Sequence, residues 1–542
     1  MKKDPQNIKY NYILFYLCVF LGLLLVIFSN PFLRYPYDVF HHLIFIDDLY
    51  SAMIPKINIV GIWVDNIYIM VHNGYTQSFV EVPQDRRIWH YFWAILFYLL
   101  DIDSRQMFFR AKIIHVTQTY IALFSIYYFS KVVIRNIFKD INKLELKWLS
   151  FWSVIIWFSI FATFSGYYHQ VWNMWYSVNY QITLPLFWYI TALTIILLLE
   201  KISLKKKIFV VLQILFISRF ILQAHSMEFM YYLMYLFIFG LIYVDKIIKF
   251  IKKYFYLFIF VIWSIWYFIK NYQTEKSVIF SYLSMDKLPK LYERIMHEGK
   301  ILVEGYNRAS ASVNELMYFI LYTVILMIFF LIWKKMRRKT INIDIKMFIF
   351  IVITSLFIMI PLYPFLGGLF GIITKIGVVN RLYYSSSLFV LFPITIYFLS
   401  KTYNIKLRYI NGIFIISLIS VYVFSKHNVT TSHNYYKNIQ SIKNSFVERK
   451  VGFNLSKKQI AVIGQKLYDY EAQNNTNKKV FYYARSDISF VIKYMYKREV
   501  YWKGRRANFK YKKIYEKNKY NNIYYQVLFD IPKNFPTYNP YE

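Results

Sequence analysis

Cysteine, glycine and acidic residues are all scarce in this chain of 542 residues. The single cysteine, Cys18, excludes an intrachain disulfide, although it does not identify a cellular compartment. The 15 glycines form no glycine-rich phosphate-binding loop, and the sequence shows no internal repeat and no long low-complexity linker. Only 29 acidic residues oppose 65 basic ones, which leaves a net charge of +36.

Hydrophobic residues are abundant, at 58% of the chain, and 22% of all residues are aromatic. This exceeds what a single soluble core normally contains and indicates a membrane protein. Residues 12–29 are uncharged, long enough to cross a bilayer, and lack the small-residue cleavage site of a signal peptide. Ten further candidate spans follow at 111–128, 148–165, 179–199, 208–223, 229–244, 254–269, 316–333, 347–365, 382–400 and 409–424.

These spans are predicted to be helices, because only a helix or a closed barrel satisfies every backbone hydrogen bond in lipid, and the runs are too long and too uniformly apolar for barrel strands. The basic loops between them indicate the orientation, since such loops normally stay cytoplasmic. They lie at 199–207, 244–253, 334–340 and 401–408. We therefore expect a multi-pass protein of the inner (plasma) membrane, with a cytoplasmic N-terminus and an external, periplasmic C-terminal segment.

One apolar segment, 88–102, is short for a span. If it crossed alone, it would place the basic loop 131–147 on the wrong side of the membrane. Either it lies in the interface as an amphipathic or re-entrant helix, or a second weak crossing at 57–71 accompanies it. The prediction is a mainly α, polytopic membrane protein with about 11–13 transmembrane helices.

Four larger external regions and a shorter one follow from this topology: the long first loop 30–87, an aromatic loop 166–179, the loop 270–315, the tail from 426, and the connection 367–381. The tail is predicted to contain a strand at 480–483, a helix capped by Ser486 or Asp487, and a second strand at 500–502. This divides the chain into a transmembrane domain, 1–425, and a small external α/β domain, 426–542.

The stretch YPYDVFHHLIFIDDLY, 35–50, places three carboxylates and two histidines just after the first span. If 38–49 is one helix, Asp38, His41, His42 and Asp48 share about a third of the circumference, and Asp47 points the opposite way. In the structural interpretation Asp38 is an N-cap, the histidines are interfacial, and Asp47 and Asp48 are solvated. A metal could bind Asp38 and His42, but Asp48 would lie about 15 Å further along the axis, so this helix alone cannot supply both carboxylates.

The layout of the chain resembles the GT-C superfamily of polyprenyl-phosphate-sugar-dependent glycosyltransferases, including the aminoarabinose transferase and protein mannosyltransferase families. Three local patterns carry the resemblance. PYDVFHHLIFID is similar to the family's acidic first-loop motif, GVVNRLYYSSSLFVLFP at 377–393 to its arginine-aromatic start of a late helix, and ISFVIKYMYKREVYW to its tail motif. The doubled histidine and the loop 270–315 match no particular subfamily, so the sugar and the acceptor stay open.

The resemblance implies an enzyme that transfers a sugar from a polyprenyl-phosphate donor to a lipid, glycan or protein acceptor on the outer face of the membrane. Asp38 would be the catalytic base, Arg381 would hold the donor phosphate, and Lys375 would assist it. His41, His42, Asp48, His225 and Glu228 are further candidate substrate-binding residues. A divalent cation, Mg²⁺ or Mn²⁺, is an open alternative for stabilising the leaving phosphate.

Other function classes share some of these features. A transporter or flippase of lipid-linked sugars would also have many spans, but it should carry ionisable residues in mid-helix or helices broken by Gly and Pro. A polysaccharide polymerase or ligase would use the same kind of donor, without an acidic first loop or an α/β tail. Charge alone suggests nucleic-acid binding, which the external position of the basic tail argues against. Protein partners are not indicated.

Overall fold

The computed structural model describes eleven helices, three strands and several shorter pieces of the chain. The described residues are 42–43, 46–47, 50, 87–102, 106–157, 180–224, 226–253, 288–309, 343–357, 360, 363–373, 379, 382, 385–402, 409, 412, 415–416, 463–469, 472, 480–484, 492, 496, 500–502 and 525–528. Within them the protein is mainly helical, as the sequence predicts.

The helices are α1 (Arg87–Leu99), α2 (Met107–Ile137), α3 (Lys143–Ile156), α4 (Tyr180–Leu199), α5 (Leu204–Ala224), α6 (Ser226–Ile242), α7 (Val244–Lys253), α8 (Leu288–Ala309), α9 (Ile345–Ser355), α10 (Pro364–Ile373) and α11 (Leu388–Thr402). The strands are β1 (Val480–Ala484), β2 (Val500–Trp502) and β3 (Tyr525–Leu528). One described helix, at Ile182–Leu199, is long and apolar enough to cross a membrane. Four shorter apolar helices lie at Ile88–Leu99, Met227–Ile242, Ile345–Ser355 and Leu388–Phe398.

The chain divides into two compact units. The first includes Ile121–Val171 and Ile182–Asn438, and the second includes Cys18–Tyr120 and Ile439–Glu542. In the second unit the three strands form a parallel sheet in the order β2-β1-β3. The two strands predicted in the tail are confirmed, whereas β3 was not predicted. The helix predicted between β1 and β2 is described only at Ile492, which is helical.

In the first unit, described residues in or next to the loops predicted to be cytoplasmic meet at one end of the helices, which we call the basic-loop end. Four ion pairs join them: Arg135 with Glu200, Lys139 with Asp344, Asp245 with Lys346, and Lys401 with Glu145. The backbone adds an antiparallel bridge between Phe138 and Ile343. Exposed ion pairs contribute little stability, so they matter here as markers of position.

Several helices begin or end at the basic-loop end with clear local signals. Asn142 caps α3 by accepting from the Glu145 backbone N–H at 2.9 Å, and Asp344 caps α9 by accepting from Met347 at 3.0 Å. The Lys346 ammonium donates to the Asp245 carboxylate at 2.7 Å and lowers the pKa of that exposed carboxyl. The stretch 244–253 was predicted as a loop, which was wrong, because its apolar residues recur at helical spacing and it forms α7.

Two predicted spans are shorter in the structure than in the sequence prediction. The span 347–365 ends as a helix at Ser355, and α10 begins at Pro364. Proline disfavours helical backbone in the residue before it, which explains a break ahead of Pro364. The span 382–400 begins as a helix only at Leu388. The three serines before it donate to backbone carbonyls, Ser385 to Leu382 nearby, and Ser386 and Ser387 to Ser355 and Ile351 of the preceding predicted span.

Two of the regions predicted to be external, 270–315 and 367–381, contain helix where the structure describes them: α8 lies in the first and α10 continues into the second. These helices pack against each other. They approach through glycine: a Cβ added at Gly299 would overlap the Pro364 carbonyl oxygen, and one at Gly368 would overlap the Ile295 carbonyl oxygen. Small residues let helix backbones approach this closely.

We therefore expect Gly299→Ala and Gly368→Ala each to destabilise the α8–α10 contact by about 1–3 kcal/mol, because the neighbouring atoms are backbone and cannot rotate away. The thermal unfolding temperature of the purified full-length protein measures the effect. Gly412→Ala is the matched control, since a Cβ there meets nothing within 4 Å. Equal unfolding temperatures for all three variants would show that the helices do not touch at these glycines.

Candidate functional site

The acidic stretch after the first predicted span is described at five positions, all of them helical and buried: His42, Leu43, Ile46, Asp47 and Tyr50. Their spacing of one, three and four residues places them on one side of a helix. This side packs into the second unit. The expectation that Asp47 points away from His42 and is solvated was therefore wrong, because both side chains are buried on one apolar packing face.

His42 forms a buried pair with His90, which lies in α1. The His42 Nδ1 and the His90 Nε2 are 2.7 Å apart, and the two rings stack at 4.9 Å between centroids. One of the two nitrogens must donate and the other accept, so the pair holds a proton between two imidazoles. The edge of Trp89 contacts both rings. The pair is thus held by a hydrogen bond and by ring packing in a buried environment.

Asp47 forms a buried ion pair with Arg110 in α2. The Arg110 Nη1 lies 2.9 Å from the Asp47 Oδ1, and neither side chain is more than 4% exposed. The guanidinium stacks over the Tyr50 ring at 4.1 Å and lies 5.2 Å from the centre of the Phe97 ring. A buried ion pair is tolerated when the other donors of the guanidinium also find acceptors. The Nε and Nη2 of Arg110 find theirs at the end of α1.

The end of α1 supplies the other acceptor for Arg110. The Arg110 Nε and Nη2 both donate to the Ile102 carbonyl oxygen, with the Nε at 3.0 Å. Asp101 adopts a left-handed conformation with φ of 51°, and the Asp101 and Ile102 N–H groups donate back to Tyr98 and Phe97. This is a Schellman motif, which ends the helix and turns the Ile102 carbonyl toward the arginine. Arg110 thereby ties α2 to the end of α1 and to the acidic stretch.

Glu228 is a predicted site residue in the first unit, in the first turn of α6. It is buried, and the Thr183 hydroxyl of α4 donates to its Oε2 at 3.2 Å. A carboxylate in the first turn is stabilised by the helix dipole, which helps to explain why it is tolerated there. This hydrogen bond links α4 to α6. It fits a structural role for Glu228 as well as a carboxylate that lines a cavity.

The remaining predicted site residues lie outside the described residues: Asp38, His41, Asp48, His225, Lys375 and Arg381. The aromatic loop 166–179 lies outside them as well. Among the described residues, no group of three or more His, Cys, Asp or Glu side chains is placed to hold a metal ion. The proposal of a divalent metal therefore gains no support from this part of the chain.

Sequence reasoning missed His90 and Arg110. Both lie in mostly apolar stretches, IWHYFW and RQMFFRAKII, where an ionisable residue is a signal that was available. His115 is another buried ionisable residue, one turn further along α2. None of these residues was predicted, because no local sequence pattern relates them to the acidic stretch.

Comparison with known proteins identifies no relative: no protein-family model matches the chain, and no curated protein matches it.

Proposed function

We propose that this chain is a polytopic membrane glycosyltransferase that transfers a sugar from a polyprenyl-phosphate donor to a lipid, glycan or protein acceptor on the outer face of the membrane. The observation that carries the proposal is the buried polar cluster at the acidic stretch, with the His42–His90 pair and the Asp47–Arg110 ion pair in one packed unit. Ionisable residues are costly in an apolar helical assembly, and their presence there favours chemistry.

A wide apolar surface on α5 supports the membrane part of the proposal. Six large hydrophobic side chains recur along one side of this helix and are exposed, with Phe216 reaching 74%: Leu204, Ile208, Phe209, Leu212, Leu215 and Phe216. Soluble monomers rarely expose a continuous apolar patch of this extent, whereas a helix facing lipid does. We propose that the predicted spans, several of which the structure describes as helices, make up about 11–13 transmembrane helices.

The basic-loop end supports the proposed orientation. Residues of the loop 131–147 form ion pairs with Glu200, Lys401 and Asp344. A backbone bridge also joins this loop to Ile343, which with Asp344 follows the basic loop 334–340. Loops that meet at one end of a helical unit lie on one side of a membrane. Segment 88–102 therefore does not cross alone in this proposal, and it lies in the interface, re-enters, or is paired with a second crossing.

The proposed topology predicts the behaviour of reporter fusions at two sites. Alkaline phosphatase fused after Thr430 should be active, because the tail 426–542, proposed to be an external α/β domain, is exported. The same phosphatase fused after Asp140, in the loop 131–147, should be inactive, and a cytoplasmic fluorescent reporter there should be bright. An active phosphatase after Asp140, or an inactive one after Thr430, would overturn the orientation.

In the proposed mechanism Asp38 removes the proton from the acceptor hydroxyl, and Arg381, assisted by Lys375, binds the donor phosphate through its forked donors. His41, His42 and Asp48 would border the acceptor, and His225 and Glu228 are further candidate substrate-binding residues. The direct test is to incubate the purified protein with a radiolabelled panel of polyprenyl-phosphate sugars and to measure the loss of donor. No loss with any donor, in the presence of Mg²⁺ or Mn²⁺, would count against a transferase.

A second candidate is a transporter or flippase of lipid-linked sugars. It is favoured by a buried ionisable residue in a helix interior, His115 in α2, which is a feature expected of transporters. The donor panel distinguishes the two functions. A transferase consumes the donor, whereas a flippase moves an intact donor across a vesicle membrane without consuming it.

A further inference from the structure

Helix α7, Val244–Lys253, carries two different faces at the basic-loop end. Its lysines fall at 246, 249, 252 and 253, and its apolar residues at 244, 247, 248, 250 and 251. In a helix with 3.6 residues per turn these two sets lie on opposite sides. Val244 is 53% exposed and Ile248 is 47% exposed, so the apolar side is not covered at these positions.

The helix is held at the end of α6 by its first turn. The Lys246 N–H donates to the Tyr243 carbonyl at 2.9 Å, and Asp245 pairs with Lys346, whose ammonium also lies 5.7 Å from the centre of the Tyr243 ring. Asp245, the one acidic residue of α7, is thus engaged by a lysine from α9. Lys246, Lys249 and Lys252 are exposed and form a cationic face directly beside the end of a proposed span.

Charge and position together identify what covers the exposed face. An apolar stripe at the end of a membrane span lies at the depth of the lipid headgroups, and lysines flanking it match anionic phosphates. We propose that α7 lies in the plane of the cytoplasmic leaflet, with Val244 and Ile248 inserted at the headgroup boundary and its lysines bound to anionic lipid phosphates. This rests on the proposed membrane orientation, and it does not depend on the proposed transferase reaction.

The single native cysteine makes a direct test possible. In a Cys18→Ser background, an environment-sensitive fluorophore is attached to Ile248→Cys on the apolar side, or to Lys249→Cys on the lysine side as the matched control. The full-length protein is placed in nanodiscs of phosphatidylcholine alone or with added phosphatidylglycerol. Quenching by acrylamide, a neutral molecule, then reports how far each probe is shielded from water.

We expect the probe at 248 to be quenched about threefold less in the anionic nanodiscs than in the neutral ones, with little change at 249. High salt, or the variant Lys246→Gln/Lys252→Gln/Lys253→Gln, should remove the difference, because it removes the electrostatic attraction. Equal quenching at 248 in both lipids would overturn the proposal. So would a probe at 248 that is quenched as strongly as the probe at 249 in the anionic nanodiscs, since the apolar side would then not be inserted. Because no sugar donor is used, either result is independent of the transferase assay.

Discussion

Replacing Asp38 by asparagine is expected to lower sugar transfer by about 100-fold or more, which is the typical contribution of a general base. Asparagine keeps the volume of the side chain and can still cap a helix, but it cannot accept a proton. The substitution therefore separates a catalytic role from a structural one. Turnover of the polyprenyl-phosphate donor is the measurement, with donor binding and membrane insertion measured on the same preparation.

The choice of control for this experiment depends on the structure. Asp47→Asn, on the opposite helical side, would be the natural mild control if Asp47 were solvated, but Asp47 is buried against Arg110. Asp48→Asn instead tests the assignment of the base, since Asp48 is the other carboxylate predicted on the same helical face as Asp38. If Asp38→Asn keeps wild-type turnover and Asp48→Asn loses it, the base is Asp48. If both variants stay active, the transferase proposal is to be abandoned.

Removing one partner of the Asp47–Arg110 pair is expected to destabilise the protein by about 3–5 kcal/mol, because the other charge is then buried without compensation. Arg110→Met should be the more severe of the single changes, since it also leaves the Ile102 carbonyl without its donor and removes the stacking on Tyr50. The fraction of full-length protein that remains monodisperse after heating is the measurement.

Two control variants distinguish the effect of an isolated buried charge from the loss of an ion pair as such. Lys139→Ala removes an exposed ion pair, with Asp344 at 3.3 Å, and should cost about 1 kcal/mol or less. The double variant Asp47→Leu/Arg110→Met removes both charges and should be more stable than either single variant, as expected when an isolated buried charge causes the damage. Single variants that resist heating as well as the wild type would show that the pair is not buried in the folded protein.

Much of the secondary structure could be predicted from local sequence alone. The uniformly apolar runs predicted helices that the structure contains as α2, α4, α5 and α6, since such runs have few alternatives to intrahelical hydrogen bonding. The β-branched and aromatic residues of β1 and β2 likewise predicted strands. The basic loops were assigned to one side of the membrane by charge, and those described do meet at one end of the first unit.

The partners of the candidate site were decided by tertiary structure. His42 and His90 are 48 residues apart in sequence, and Asp47 and Arg110 are 63 apart, so no local periodicity relates them. Helical spacing places His42 and Asp47 on their helix, but it does not tell which side packs inward. The packing of α1 and α2 against the acidic stretch decided which side is buried. Burying His42 and Asp47 would be costly without partners, and His90 and Arg110 on these two helices supply them.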